Sequence, residues 1–251
     1  MAIRILYNLG GHTLHRSFNP SSPTDRRRHE HLRSLFWHCY SIDKEMSLRK
    51  CQAPLIHDAD CDLDLPAAYV SMSSMQQFFM DPQSPRQLLF PSDLRLALFK
   101  SKLYQQLYSR PSLQLDQTAR LRVIRELDHE LHELKSQFPA ACQPENFLYT
   151  ALPETDARGL SIRGINLHLG YYHCLTKVHG ASLVGENAAD KSTAPSSSLE
   201  LCYQAARSTL LYLSRMRYLI KEETFWCALP FGNLDYINAA NIQLGYMRNS
   251  S

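Results

Sequence analysis

Two groups of residues in this 251-residue chain have the types and spacing that chemistry needs. His12 and His15, three positions apart, could share a metal ion through their imidazole nitrogens. Asp58, Asp60, Asp62 and Asp64 occupy every second position, as the hard oxygen ligands of a calcium loop would. Each group fails on its surroundings. The histidine pair sits in a Gly-broken turn with no third ligand at a telling distance. A calcium loop opening at Asp58 would need glycine at position 63 and glutamate at position 69, where the chain has Leu63 and Tyr69. The seven cysteines (Cys39, Cys51, Cys61, Cys142, Cys174, Cys202 and Cys227) are never closer than ten positions, which excludes a zinc ribbon or finger within the chain. Asp43 and Glu45 are two apart on a helical pattern and point to different faces, so they do not form an acid–base pair. No nucleophile elbow, P-loop or G-x-G-x-x-G is present. The expectation is a chain without catalytic, cofactor-binding or metal-ligating residues, and not an enzyme. A helical enzyme with a cleft lined by His29, His31 or His57 is the least favoured alternative.

The elements around these residues read as helices. Leucine is abundant while valine and threonine are scarce, which favours helix over strand. Residues 1–10 suggest a short helix ended by Gly10-Gly11. Thr24 is a plausible N-cap for a long helix running to Lys50. On it Leu32, Leu35, Phe36, Cys39, Ile42 and Met46 recur at steps of three and four, which predicts an inward stripe with Phe36 and Trp37 as core anchors. Residues 51–66 then read as an extended connector bounded by Pro54 and Pro66. It alternates carboxylates with small apolar groups, its acidic side turned to water. Ser92 is expected to cap a helix striped by Leu96, Phe99, Leu103 and Leu107. Asp116 is expected to cap another, striped by Leu121, Ile124, Leu127, Leu131, Leu134 and Phe138. Further helices are expected over 162–181 and from Leu199 onward. Residues 185–198 have the composition of a flexible insertion, and 248–251 read as a tail. The fold class that follows is all-α: a compact multi-helix array with the long helix of about 24–50 at its centre.

Net charge is only +3, but residues 1–57 hold nine Lys/Arg against four Asp/Glu. Arg26-Arg27-Arg28 reads either as a solvated helix turn or as a phosphate-contacting or import patch. The apolar stretch from Phe225 to Met247 is broken by Pro230, Gly232 and several polar residues, so it reads as core and not as a membrane span.

The string from Arg33 to Pro66 closely resembles the signature of the regulatory middle homology region of fungal zinc binuclear-cluster transcription factors. The positions that carry the resemblance are Leu35, Phe36, Trp37, Tyr40, Asp43, Lys44, Ser47, Pro54, Ile56, Asp58, Asp60, Asp62 and Pro66. Cys51 stands where that family commonly has glycine. Asn8–Arg16, Lys100–Ser109 and Leu167–Leu183 resemble further family elements, with Gly180-Ala181 in place of Arg-Pro. The resemblance implies one regulatory region over residues 1–247, incomplete at both ends, controlling transcription in the nucleus. It implies co-regulators or other domains of a full-length factor as partners, with a small-molecule effector and homodimerisation also allowed. DNA contact and zinc are expected only of an upstream cysteine cluster that this chain does not contain, and no membrane partner is expected. The alternative is a helical effector sensor binding a hydrophobic ligand between helices.

Overall fold

A computed structural model of the protein describes residues 2–13, 22–72, 74–79, 93–149, 161–183 and 196–219. Among the described residues there are helices and turns but no β-strand, in agreement with the all-α expectation. The α-helices are α1 (Ala2–Asn8), α2 (Pro23–Lys50), α3 (Ala67–Val70), α4 (Ser74–Phe78), α5 (Leu94–Leu103), α6 (Arg110–Leu113), α7 (Gln117–Ser136), α8 (Pro144–Tyr149), α9 (Ile162–Gly180) and α10 (Ser196–Leu219). Helix α5 continues into a wider turn, Tyr104–Tyr108, before Ser109 starts α6.

Local chemistry sets the helix ends. Ser22 caps α2 by accepting from the Asp25 amide at 3.2 Å, and Pro23 supplies a preset φ at the first helical position. The cap therefore precedes Thr24, because proline follows Ser22 and needs no amide partner. At 28 residues α2 is about 42 Å long. It ends at Cys51, whose φ of 50° puts it in the left-handed region that glycine normally fills. Asp93, not Ser92, caps α5, accepting from the Leu96 amide at 3.0 Å. Asp116 caps α7 as expected, at 2.8 Å from the Ala119 amide. Helix α10 begins at Ser196, so the last three residues of the 185–198 segment form its first turn, while 185–195 and 248–251 lie outside the described residues. Residues 225–247 lie outside them as well.

Two hydrophobic clusters organise the packing. The larger joins α5, the Tyr104–Tyr108 turn, α7, α9 and α10, through residues such as Phe99, Leu107, Leu127, Leu131, Leu169 and Tyr212. The stripes expected on α5 and α7 point into it. Helix α9 is the most enclosed: from Arg163 to Cys174 only Asn166 is not buried. At its middle, His168 Nε2 lies 2.8 Å from the Cys142 carbonyl and Nδ1 2.8 Å from the Tyr212 hydroxyl. A carbonyl only accepts, so Nε2 carries the proton and Nδ1 accepts from Tyr212. Gly170 lets α9 approach α5, since a Cβ there would sit 2.6 Å from Leu96 Cδ2 and 3.1 Å from Lys100 Nζ.

The smaller cluster joins Leu6 of α1, Phe36, Trp37 and Tyr40 of α2, Ile56 and Tyr69, and Leu94 and Ala97 of α5. Trp37 is fully buried and meets Phe36 and Tyr40 edge-on, with ring centroids 5.6 and 5.3 Å away. The inward stripe of α2 is not the one the spacing of apolar residues predicts. Leu35, Ile42 and Met46 face solvent, and the buried side instead carries Arg33, Phe36, Trp37, Tyr40, Asp43, Lys44, Ser47 and Leu48. Arg33, Asp43, Lys44 and Ser47 on that side have partners across from them, so hydrophobicity alone misplaces the face. Replacing Trp37 with alanine should cost roughly 3–5 kcal/mol, as aromatic truncations in cores do. Urea melts followed by circular dichroism check this, and a loss under about 1 kcal/mol would place Trp37 outside the core.

Candidate functional site

Eight of the thirteen signature residues come together where α2 meets the segment 52–66. That segment is an extended strap interrupted by one 3₁₀ turn, Asp58–Asp60. Asp43 reaches from α2 and accepts two successive strap amides, Leu55 at 2.8 Å and Ile56 at 3.0 Å, one on each carboxylate oxygen. Neighbouring Lys44 is 1% exposed. Its ammonium donates to the Ile56 carbonyl, pairs with Asp58 at 3.0 Å and lies 4.8 Å from the centre of the Tyr40 ring. Ser47, one turn on, donates to the Gln52 carbonyl. These contacts fix the backbone on both sides of Pro54 and press the Ile56 side chain, fully buried, into the cluster with Phe36, Trp37 and Tyr40.

Asp58 is the second knot. It accepts from the Tyr40 hydroxyl at 3.1 Å, the Ser101 hydroxyl at 2.7 Å and the Gln105 amide at 3.2 Å, besides pairing with Lys44. Burial, and then the Asp58 charge, push the Tyr40 phenol well above its ordinary range. The 3₁₀ turn breaks the alternation of the aspartates, so Asp58 points inward while Asp60 and Asp64 remain exposed. The expectation that all the acidic side chains line the water side is corrected accordingly. Asp62 serves through its backbone: its amide donates to the His12 carbonyl at 2.9 Å, and its carbonyl accepts from Arg33 at 2.8 Å. Arg33 also donates to the Gly11 carbonyl at 3.1 Å, and His12 stacks on Tyr7 at 4.2 Å. Pro54 and Pro66 are half-buried at the ends of the strap, and Leu35 takes no part.

His12 thus belongs to a stacked turn, and His15 lies outside the described residues. Among the described residues, no group of three His, Cys, Asp or Glu side chains is placed to hold a metal ion. No described helix is long and apolar enough to cross a membrane.

Residues that the sequence pattern did not single out extend the clamp. Glu45, two positions from Asp43, turns to α5 and α9 instead of the strap and binds Arg49 at 2.7 Å and Lys100 of α5, with His173 of α9 3.4 Å away. Burial raises the Glu45 carboxyl, but Lys100, His173 and Arg49 outweigh it and hold the group well below the carboxylate range. Burial pushes His173 down to about 4, so it is neutral at pH 7. Nothing in the order of residues announces this cluster, since its three helices are far apart in the chain. A cavity of about 250 Å³ opens between α7 and α9, bordered by Arg125, Asp128, His129, His132, Tyr171 and Leu175. Asp128 there is 3.1 Å from His179, and that hydrogen bond lowers its pKa. The lining is more polar than a site for a hydrophobic effector would be.

Asp43, Lys44 and Asp58 spend their hydrogen-bonding groups on strap backbone, on the Lys44–Asp58 pair and on the side chains of Tyr40, Ser101 and Gln105, an arrangement that holds a shape. Comparison with known proteins agrees in kind. The chain is 30% identical over 184 residues to an ABC-transporter-regulating transcription factor of Aspergillus fumigatus, covering 72% of this chain and 19% of that protein. The counterpart in Aspergillus oryzae is 29% identical over 184 residues, with the same coverage. An uncharacterized transcriptional regulatory protein of Schizosaccharomyces pombe is 24% identical over 232 residues, covering 87% of this chain and 33% of that one. No family model and no solved structure matches the chain. The chain is similar over most of its length to fungal proteins named as transcription regulators, and it spans about a fifth of the length of the two Aspergillus proteins.

Two outcomes follow. Asp43→Ala strands two strap amides and should cost about 2–4 kcal/mol, roughly 1–3 for the buried Ile56 amide and about 1 for the half-buried Leu55 amide. Hydrogen exchange at residues 52–58 should speed up with it, and unchanged exchange would show that the strap is held elsewhere. The second outcome concerns acid. His168 and His173 both have pKa values lowered by burial to about 4. Their contribution is intact above the unfolded value of about 6.5 and is lost as pH falls from there towards about 4, at up to about 1.4 kcal/mol per pH unit for each. Urea midpoints at pH 7.5, 6 and 5 should fall in that order, and a flat profile would contradict neutral buried histidines.

Proposed function

We propose that this chain is a non-catalytic regulatory region of a fungal transcription factor, of the middle homology type. The observation that carries this reading is the 184-residue similarity to transcription factors, over a stretch that includes most of the present chain. The clamp supports it, because the charged signature residues are occupied in holding a strap to a helix. In this reading the region works in the nucleus by contacts with co-regulators or with other parts of a full-length factor. Sequence-specific DNA contact belongs to a separate module. The polar lining of the α7–α9 cavity gives no support to a hydrophobic effector as the controlling ligand.

A fungal reporter strain provides the test. The full chain is inserted between a heterologous DNA-binding domain and an activation domain, with an unstructured linker of equal length as control. The chain should change reporter output at least about threefold, and Asp43→Ala should return it towards the linker value. Output equal to that of the linker for both proteins would overturn the regulatory role. Purified chain should give no sequence-dependent shift with DNA, and a sharp specific shift would overturn the assignment of DNA contact to another module.

A further inference from the structure

The outward side of α2 has a chemistry that the clamp does not explain. Leu35, Ile42 and Met46 are 40, 48 and 40% exposed. At 3.6 residues per turn they fall within about 40° of one another, and Cys39 lies beside them. Exposed Arg27 and Arg28 precede this apolar group and exposed Lys50 follows it. Among the described residues none of these three cations is in an ion pair. The carboxylates of α2 do not reach the same side. Asp25 is bonded to Ser22 in the N-cap, Glu30 lies about 140° round the helix from Leu35, and Asp43 and Glu45 are engaged inward.

We infer that this face is a docking surface for a helical segment of a partner protein, one that is rich in both acidic and large apolar residues. The apolar side chains of the partner would cover Leu35, Ile42 and Met46, and its carboxylates would meet Arg27 and Arg28 at one end and Lys50 at the other. From Arg28 to Lys50 the face runs about 33 Å, the length of a helix of about 22 residues. A second copy of this chain is a poor occupant, because two such faces would bring only positive charge together. Nucleic acid would leave the apolar centre unused. The helix-on-helix mode places apolar anchors at steps of three and four, which is how Leu35, Ile42 and Met46 are arranged. The docking face goes beyond the regulatory reading and stands whether or not the chain serves transcription.

Fluorescence anisotropy with the full chain tests it. The probe is a fluorescein-labelled synthetic 22-residue helical peptide with leucine at steps of three and four and glutamate on its flanks, and its analogue has glutamine for every glutamate. The chain should bind the acidic peptide and not the neutral one. Ile42→Asp and the pair Arg27→Glu/Arg28→Glu should each weaken binding by about tenfold or more. Because these positions are exposed, both variants should melt like the parent, which separates lost docking from lost folding. Four results would each overturn the inference: no binding at 100 µM peptide, equal binding of the neutral peptide, full binding by Ile42→Asp, or sedimentation showing a dimer of the chain that Ile42→Asp dissociates. Binding to phosphatidylserine vesicles in place of the peptide, lost in Ile42→Asp, would assign the face to a membrane surface and overturn it too.

Discussion

The Asp43 carboxylate is the contact on which the rest of this architecture rests. A helix as long as α2 turns one side to the domain, and that side contains Arg33, Asp43, Lys44 and Ser47 among its aromatics. Burying such groups without partners would cost several kcal/mol each. The strap removes the penalty by offering backbone amides and carbonyls where α2 offers a carboxylate, an ammonium and a hydroxyl. Extended backbone suits this because its donors and acceptors are not consumed by helix bonds. Pro54 contributes by lacking a donor next to the two amides that Asp43 does bind. The exchange is reciprocal: the strap has no regular secondary structure apart from one 3₁₀ turn, and α2 supplies its hydrogen bonds.

That reciprocity explains which parts of the structure were legible in the sequence. Helices α7 and α9 have apolar periods or caps that depend on nearby residues, so Asp116 and the stripe from Ile124 to Phe138 read directly. The face of α2 did not. Its apolar residues Leu35, Ile42 and Met46 are as regularly spaced as a core stripe, and only the partners across the strap reveal that Asp43 and Lys44 are the buried ones. The residues of the clamp were readable as a pattern, through the resemblance to the middle homology signature, while their roles were not. The order of residues shows only that Asp43 and Glu45 lie on different faces, whereas the Asp43 carboxylate binds amides twelve and thirteen positions away. The misplaced caps have a simpler origin. Thr24 and Ser92 are good cap residues, but Ser22 with Pro23, and Asp93 with its carboxylate, are better ones.

The buried ionic cluster of Glu45, Arg49, Lys100 and His173 obeys a different rule. Buried ion pairs are weak contributors to stability compared with well-packed apolar groups, yet removing one partner is costly. Their effect is therefore on register. Lys100 can reach Glu45 only if α5 lies at one height along α2, and Gly170 keeps α9 close enough for His173 to complete the set. A one-residue slide of α5 would separate the charges and leave each of them buried alone.

Register on α5 is also what links the clamp to the main core. Lys100 answers Glu45, and the next residue, Ser101, answers Asp58. The same helix gives Leu94 and Ala97 to the smaller cluster and Leu96, Phe99 and Leu103 to the larger one. A displacement of the strap that pulled Asp58 from Ser101 would therefore act on a helix whose other sides are locked into α2 and α9. Close-packed cores do not deform continuously, so α5 would either hold the strap in place or shift together with its neighbours. The two cores are in this way coupled through one helix, and a contact that loosened the strap would reach α9 through α5, not through the connecting chain.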